Sequence, residues 1–378
     1  MKKNSSIKFL LIVVCGMLIF SNSCEKNNAY RQERDNMLNE SLDLLKDRIH
    51  KPLYFSETDL KSSLPLKVVF STWSPETKAD IYVINSDGTN LTQLTDYGEN
   101  ERYATWFPNG HIILYARMLG AETDTYDIFS MNSDGSDQKN LSDYPGPDWG
   151  GIVSPNNQKV LFISKREGNG FYIMSVDGSD CFKLTNLGGY ERHPSWSPNS
   201  KQILFGHGGN IYTVNADGTN LKKIIESDET YWYAWARWSP NGQNILFDKY
   251  SNIIVDEETQ FVSDVCVMNL HDGTIRNLTN NNFLDYCYWY SPNGQKILLH
   301  TNRNDKPEFY IMNADGSDPY YLMDFDPAFW PFWLPNGDMI YHKDQEILCI
   351  EEDGTDHRVI TDIGLDIDGL DLMIGRIN

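Results

Sequence analysis

The sequence predicts an all-β fold in which one four-stranded antiparallel unit repeats along the chain. Two interleaved series of turn motifs support this prediction. The first series consists of seven Asp-Gly pairs, spaced 47, 43, 40, 55, 43 and 38 residues apart, and such intervals are typical of four-stranded repeats. The pairs are Asp87-Gly88, Asp134-Gly135, Asp177-Gly178, Asp217-Gly218, Asp272-Gly273, Asp315-Gly316 and Asp353-Gly354.

The second series consists of six turns that begin with proline. Proline fixes φ early in a turn and Asn or Gly tolerates left-handed positions, so each turn predicts a hairpin. An Asp-Gly pair between two apolar-alternating runs predicts a second hairpin. One repeat therefore has strand A before the proline turn, strand B after it, and strands C and D joined by the Asp-Gly turn. The turns are centred on Pro108, Pro155, Pro198, Pro240, Pro292 and Pro335.

The number of strands predicts how the fold closes. Seven B–C–D units and six A strands make 27 strands, which is one fewer than seven complete units require. The apolar residues 370–377 can supply the missing strand A of the first unit. Radial closure of this kind protects strand edges that an open stack would expose. We therefore predict a seven-bladed β-propeller over residues 62–378, closed by the C-terminal strand.

The repeated residues resemble the TolB-type (WD40-like) β-propeller repeat, in which Trp-Ser-Pro-Asn-Gly, Ile-x-Phe, Ile-Tyr-x-Met-Asn, Asp-Gly and Leu-Thr follow one another. Trp196-Ser197-Pro198-Asn199 is one example here, and the resemblance runs from about residue 66 to the C-terminus. It implies the propeller architecture. The resemblance also implies that TolB itself carries a sizeable α/β domain before a six-bladed propeller. Here only about 40 residues separate Cys24 from the first blade, so we do not expect TolB's role in an outer-membrane tethering complex.

The N-terminus predicts export from the cytoplasm. Lys2, Lys3 and Lys8 precede an apolar stretch over residues 9–20, which is typical of a secretory signal peptide, here residues 1–23. Cys24 follows small polar residues and predicts a bacterial lipoprotein acylated at that cysteine. Cleavage by an ordinary signal peptidase near Ser23 is the alternative. We expect a lipid-anchored protein of the bacterial cell envelope, either periplasmic or at the outer membrane.

A polar segment, residues 24–61, connects the predicted anchor to the propeller. Leu38, Leu42, Leu45 and Ile49 fall on one face of a helix in this segment. The spacing predicts a short amphipathic helix that docks on the propeller. A helix that binds a partner is the alternative.

Composition excludes one class of partner. The full chain has a formal net charge of −21, and without the three lysines of the signal peptide it has 29 basic and 53 acidic residues. Nucleic acid is therefore not an expected partner, because binding it requires clustered Lys and Arg. The mature chain has four further cysteines, which we interpret as buried free thiols rather than disulfides. They are Cys181, Cys266, Cys287 and Cys349.

Strand direction predicts where a ligand binds. The two hairpin series lie at one end of the propeller, so the D–A and B–C loops gather at the other, and loops on a regular scaffold commonly carry binding residues. Aromatic and Arg side chains are frequent in these loops and are typical of binding hot spots. The residues 250–263 are interpreted as one long B–C loop. The candidate ligand-binding residues are Arg102, Tyr103, Trp149, Arg192, His193, Tyr231, Trp232, Tyr233, Tyr286, Arg303 and Trp330.

Two functions remain open from the sequence. The favoured one is a non-enzymatic, monomeric envelope lipoprotein that needs no cofactor and whose loops bind a protein partner or a glycan. No Gly-x-Ser-x-Gly motif supports a hydrolase. The alternative is a metal-dependent carbohydrate-active enzyme, because a seven-bladed propeller of this repeat type resembles the oligogalacturonate lyases. That resemblance implies a channel metal, for which His193, His207 and His300 are the candidates.

Overall fold

Each repeat of the sequence forms one antiparallel sheet of four strands, and seven such sheets are present in the described part of the chain. Neighbouring strands in the chain are neighbours in each sheet, as successive hairpins require. The predicted all-β fold with seven blades is confirmed. The structure is a computed structural model that describes residues 66–74, 78–120, 125–188, 191–255, 258–304, 306–324, 331–343, 346–355, 357–362 and 373–375.

The 28 strands are numbered β1 to β28 along the chain. Blade 1 contains β28 (Met373–Gly375), β1 (Lys67–Ser74), β2 (Lys78–Asn85) and β3 (Thr92–Gln93). Blade 2 contains β4 (Glu101–Trp106), β5 (Ile112–Met118), β6 (Tyr126–Asn132) and β7 (Lys139–Asn140). Blade 3 contains β8 (Asp148–Val153), β9 (Lys159–Ser164), β10 (Gly170–Ser175) and β11 (Phe182–Lys183). Blade 4 contains β12 (Glu191–Trp196), β13 (Gln202–His207), β14 (Asn210–Asn215) and β15 (Lys222–Ile225).

The remaining three blades follow the same order. Blade 5 contains β16 (Tyr231–Trp238), β17 (Asn244–Val255), β18 (Glu258–Asn269) and β19 (Ile275–Asn277). Blade 6 contains β20 (Asp285–Tyr290), β21 (Lys296–Thr301), β22 (Glu308–Asn313) and β23 (Tyr320–Asp324). Blade 7 contains β24 (Phe332–Trp333), β25 (Met339–Lys343), β26 (Glu346–Ile350) and β27 (Arg358–Asp362).

The C-terminal strand closes the ring. Strand β28 pairs antiparallel with β1, with Met373 opposite Val69 and Gly375 opposite Lys67. The first blade therefore combines one strand from the end of the chain with three from its beginning. This pairing confirms the closure that the strand count predicts.

The Asp-Gly turns all use the same local hydrogen bonds. In blade 1, Asp87 Oδ1 accepts hydrogen bonds from the backbone N–H of Thr89 at 3.0 Å and from its hydroxyl at 2.6 Å, while Gly88 has φ +84°. A side-chain acceptor two residues before the donor stabilises the turn, and glycine takes the positive φ without steric cost. The other six pairs are Asp134 and Ser136, Asp177 and Ser179, Asp217 and Thr219, Asp272 and Thr274, Asp315 and Ser317, and Asp353 and Thr355.

The hydrophobic core lies between adjacent blades. Val68 of blade 1 and Ile340 of blade 7 belong to one buried cluster, so the closing interface is packed like the others. Two of the Trp residues before the proline turns also join blades: Trp196 Nε1 donates to the carbonyl of Ile152 at 3.1 Å, and Trp238 Nε1 to that of Ser195 at 3.3 Å. Buried indole N–H groups commonly find such partners. The recurrence of Trp at this position is therefore a packing requirement.

Several N-terminal predictions lie outside the described residues, namely the signal peptide, the acylated Cys24 and the helix in residues 24–61. Within the described part of the chain, no helix is long and apolar enough to span a membrane. All four cysteines in the propeller are free thiols. Cys266, Cys287 and Cys349 are buried as expected, whereas Cys181 is exposed.

Candidate functional site

The strands arrange the loops into two distinct faces. Strands A form the inner edges of the blades, since β4 contacts β8, and β16 contacts both β12 and β20. The proline and Asp-Gly hairpins lie at one end of these strands, while the D–A and B–C loops lie at the other. We call the second end the loop-rich face. It contains the first residues of strands A and the last residues of strands B.

Buried acids at the loop-rich face pair with arginines inside three blades. Glu101 Oε1 lies 3.0 Å from Arg117 Nε in blade 2, and Asp148 Oδ2 lies 2.5 Å from Arg166 Nη2 in blade 3. In blade 6, Asp285 Oδ1 lies 3.3 Å from Arg303 Nη2. The three carboxylates are fully buried. Arg303, which the sequence suggests as a ligand-binding residue, therefore has an internal partner.

Burial decides the ionisation of the acid in blade 2. It raises the pKa of Glu101 to about 7, although the guanidinium of Arg117 acts in the opposite direction. The pair is therefore an internal structural contact in which desolvation outweighs Coulomb attraction.

Blade 5 departs from the other blades in length. Residues 250–263 are expected to form a loop, but 250–255 and 258–263 instead continue strands β17 and β18, which have 12 residues each where β13 and β14 have 6. The register runs without interruption from Asn244 opposite Asn269 to Val255 opposite Glu258. At about 3.3 Å per residue, the additional pairs extend the hairpin by roughly 15 to 20 Å. The loop prediction is wrong because seven of the twelve added residues are β-branched or aromatic and so favour strands.

Aromatic rings cover one side of this extended hairpin. The ring centroids of Trp232 and Tyr250 are 6.0 Å apart, and Phe261 lies 5.8 Å from each of them. Tyr286 of blade 6 continues the group, with its centroid 6.1 Å from that of Tyr250. We call Trp232, Tyr250, Phe261 and Tyr286 the aromatic cluster. Trp232, Phe261 and Tyr286 are each partly exposed.

The buried carboxyl group of Asp248 contacts the aromatic cluster through Tyr250. Asp248 Oδ2 accepts the hydroxyl of Tyr250 at 3.1 Å, and Oδ1 accepts the backbone N–H of Cys287 at 2.7 Å. Burial raises the pKa of Asp248 to about 7. The side chain therefore fixes Tyr250 and links blade 5 to blade 6.

The opposite side of the hairpin carries a lysine between tyrosines. Lys249 Nζ lies 3.8 Å from the ring centroid of Tyr231, and Tyr233 is directly opposite Lys249 in the register of β16 and β17. Tyr231, Tyr233 and Lys249 are all partly exposed. A cation over an aromatic face at this distance gains a favourable electrostatic interaction.

Three aromatic residues in strands A have left-handed backbone conformations. Tyr103, His193 and Trp235 have φ of 58°, 51° and 56° and lie at β-bulges of β4, β12 and β16. Bulky residues seldom adopt positive φ, because the conformation costs about 1 to 2 kcal/mol. The rings of His193 and Trp235 stack with centroids 3.6 Å apart. This stack joins blades 4 and 5 beside the blade-5 hairpin.

The structure brings together only part of the predicted binding set. Tyr231, Trp232, Tyr233 and Tyr286 gather around the blade-5 hairpin, and His193 lies in the adjoining stack. Other residues lie in different blades, and Trp330 is outside the described residues. The predicted binding set does not contain Phe261 or Asp248. The alternation of apolar and polar residues around Phe261 nevertheless predicts a strand. The separate members are Arg102 and Tyr103 in blade 2, Trp149 in blade 3, Arg192 in blade 4 and Arg303 in blade 6.

The three candidate metal-binding histidines have different surroundings. The His193 ring stacks on Trp235, the His207 ring meets Tyr212 edge to face at 6.1 Å, and the His300 ring stacks on Tyr286 at 5.5 Å. Burial lowers the pKa of His300 to about 3. Across the described ranges, no three His, Cys, Asp or Glu side chains come together as a metal-binding group.

A small cavity lies on the other face, away from these residues. Its volume is about 100 Å³, and Pro240, Asn293 and Arg276 are among the residues that line it, between blades 5 and 6. This space suits a few water molecules and is below the 300 to 1,000 Å³ typical of small-molecule sites. The loop-rich face is therefore the better candidate for binding.

Seven four-stranded blades, closed by the two ends of the chain, define a β-propeller protein. The family model described as the TolB beta propeller domain matches residues 66–205. Residues 66–205 therefore carry TolB-type propeller repeats, and the remaining blades share their four-stranded form.

Three individual proteins are similar to this chain. An uncharacterized protein of Agrobacterium fabrum is 26% identical over 130 residues, which are 33% of this chain and 44% of that protein. The chain thus matches less than half the length of this curated relative. TolB from Acinetobacter baumannii is 18% identical, with a TM-score of 0.47, over 69% of this chain and 64% of that one. Oligogalacturonate lyase from Vibrio parahaemolyticus is 12% identical, with a TM-score of 0.54, over 81% of this chain and 94% of that one. Identities this low show a shared fold only.

Proposed function

We propose that this propeller is a non-enzymatic binding protein of the bacterial cell envelope, and that its loop-rich face binds a protein partner or a glycan. One observation carries the proposal: the blade-5 hairpin projects from that face and bears the aromatic cluster on one side and the partly exposed Tyr231 and Lys249 on the other. Clustered aromatic side chains supply large contact area at low cost in conformational entropy.

The exposed apolar surface of the hairpin supports a partner in particular. Ile254 is 70% exposed near the end of β17, and Phe283 is 40% exposed in the neighbouring loop. Isolated exposed apolar residues are ordinary, but Ile254 lies on the same side of the hairpin as the partly exposed Phe261, and the backbone of Phe283 accepts the N–H of Ser263 in the same strand. Contiguous apolar surface bordered by polar residues is typical of interaction sites. The projecting shape also suits a protein better than a small ligand, for which concave sites are usual.

Anchoring at Cys24 is part of the same proposal. Acylation would hold the propeller at a membrane surface. Mass spectrometry of the mature protein should find the N-terminus at an acylated Cys24, and Cys24→Ala should release the protein into the soluble fraction. A mature N-terminus at another residue would refute the anchor. It would not bear on the proposal that the loop-rich face binds a partner.

The binding function can be tested with a glycan array and a displayed library of peptides and small proteins. We expect ligands that bind the purified propeller equally well with and without a chelator. Trp232→Ala should weaken binding about 30-fold, since hot-spot aromatics contribute on the order of 2 kcal/mol. The matched control is Tyr321→Ala, which removes a tyrosine that is 47% exposed in β23 of blade 6. Equal losses for both variants, or binding abolished by chelation, would contradict the proposal.

A further inference from the structure

The blades of this propeller provide an internal comparison for Lys249. In blade 2, Arg117 near the end of strand B lies opposite Glu101 in strand A and pairs with it at 3.0 Å. In blade 5 the same register places Lys249 opposite Tyr233. The cation is therefore retained at this position, while the carboxylate that neutralises it in blade 2 is replaced by a tyrosine.

Strand C does not supply the missing carboxylate. Asp264 lies opposite Lys249 on β18, as Asp127 lies opposite Arg117 on β6. The Asp127 carboxylate accepts a hydrogen bond from Asn140 at 2.6 Å, and Asp264 Oδ1 accepts from Thr279 at 3.3 Å. In both blades the strand-C acid thus accepts a hydrogen bond from a residue in or just after strand D. Among the described residues, no carboxylate lies within ion-pairing distance of Lys249.

Blades 3 and 6 show that the acid in strand A is the general partner. Asp148 pairs with Arg166 and Asp285 with Arg303, although each arginine lies two residues farther along the chain than the position of Arg117. Three blades therefore neutralise this cation internally. Blade 5, which also carries the extended hairpin, does not.

We propose that Lys249, together with Tyr231 and Tyr233, binds a carboxylate of a partner polypeptide, supplied by an Asp or Glu side chain or by a C-terminus. The inference rests on the proposed binding function and names the chemistry that this face recognises. The ammonium supplies a charge-assisted hydrogen bond, and the two partly exposed tyrosines border it. A polypeptide is favoured over an acidic glycan because Ile254 and Phe283 add exposed apolar surface on the other side of the same hairpin, which a chain that crosses the hairpin can also cover.

The proposal can be tested by selecting peptides from a randomised display library against the mature propeller. Enriched peptides should contain a recurrent Asp, Glu or C-terminal carboxylate, and synthetic copies should bind less tightly as salt is raised. Lys249→Gln should weaken binding about ten-fold or more, and changing the peptide acid to its amide should cause no further loss in that variant. The control is Lys201→Gln, which removes an exposed lysine from the opposite face.

A second variant restores the internal ion pair. Tyr233→Glu places an acid opposite Lys249, as Glu101 lies opposite Arg117, so it should abolish peptide binding while the propeller remains folded. Tyr233→Phe should retain most of the binding. If acidic peptides bind Tyr233→Glu as well as the parent, the inference is wrong. Enrichment of peptides without acids that depend on Trp232 would overturn the inference and keep the proposed function, whereas no enrichment at all would contradict both.

Discussion

At alkaline pH, the Asp248→Asn variant should be more stable than the parent protein. Asp248 is fully buried between blades 5 and 6, and it accepts hydrogen bonds from Tyr250 and Cys287. Burial raises its pKa from 3.8 to about 7. Because the folded-state pKa is above the unfolded value, the folded protein binds more protons between about pH 4 and pH 7. Its stability therefore falls as pH rises through this interval.

The size of the effect follows from the two pKa values. A rise from 3.8 to about 7 is roughly three pKa units, and each unit is worth about 1.4 kcal/mol. The ionised Asp248 should therefore cost up to about 4 kcal/mol at pH 8 relative to pH 4. Asparagine keeps the shape and can still accept the N–H of Cys287, so Asp248→Asn should remove most of this pH dependence.

Urea unfolding followed by tryptophan fluorescence at pH 5, 6, 7 and 8 measures the effect. Between pH 5 and pH 8 the variant should gain about 2 to 3 kcal/mol of stability relative to the parent, because about two of the three pKa units lie in this interval. Arg237 lies close enough to lower the pKa of Asp248. A variant that is strongly destabilised at pH 8 would show that Asp248 is ionised as a counter-ion of Arg237, which would refute the reasoning.

Three further predictions concern closure, packing and acid stability. Deleting residues 370–378 removes β28 and should lower the stability by several kcal/mol, because β1 loses the strand that pairs with it. Thermal unfolding measures this loss, and an unchanged melting temperature would show that the ring does not need β28. Gly88→Ala places a Cβ 2.1 Å from the Ile360 carbonyl oxygen of blade 7, whereas Gly273→Ala at a similar φ meets nothing within 4 Å. The first should therefore cost at least about 1 to 3 kcal/mol more than the second. Burial lowers the pKa of His300 to about 3, so its contribution to stability is lost as pH falls below 6.5, and His300→Phe should flatten this part of the acid unfolding curve.

The sequence predicts the repeat well because each turn has its own local chemistry. Asp87 and Thr89 form their turn with hydrogen bonds two residues apart, and no distant contact is needed. The count of such turns also predicts the closing strand. Local patterns of this kind determine the architecture because the same unit recurs in every blade.

The candidate binding site is harder to predict because it depends on departures from the repeat. The sequence predicts a long B–C loop over residues 250–263, although Ile253 and Phe261, which lie in strands β17 and β18, favour strands. Arg303 belongs to the predicted binding set but forms an internal pair with Asp285. The left-handed conformation of Trp235 has no sequence signal, since bulky residues are unusual at positive φ.

Site-specific photo-crosslinking in whole cells tests most directly whether the loop-rich face is the binding surface. A photoreactive amino acid at Ile254, which is 70% exposed on the blade-5 hairpin, is compared with one at Lys201 on the opposite face. We expect a discrete crosslinked product from position 254, and we expect this product to be lost in a Trp232→Ala background. We expect no crosslinked product from position 201. Products from position 201 alone, or a product from position 254 that persists without Trp232, would contradict it.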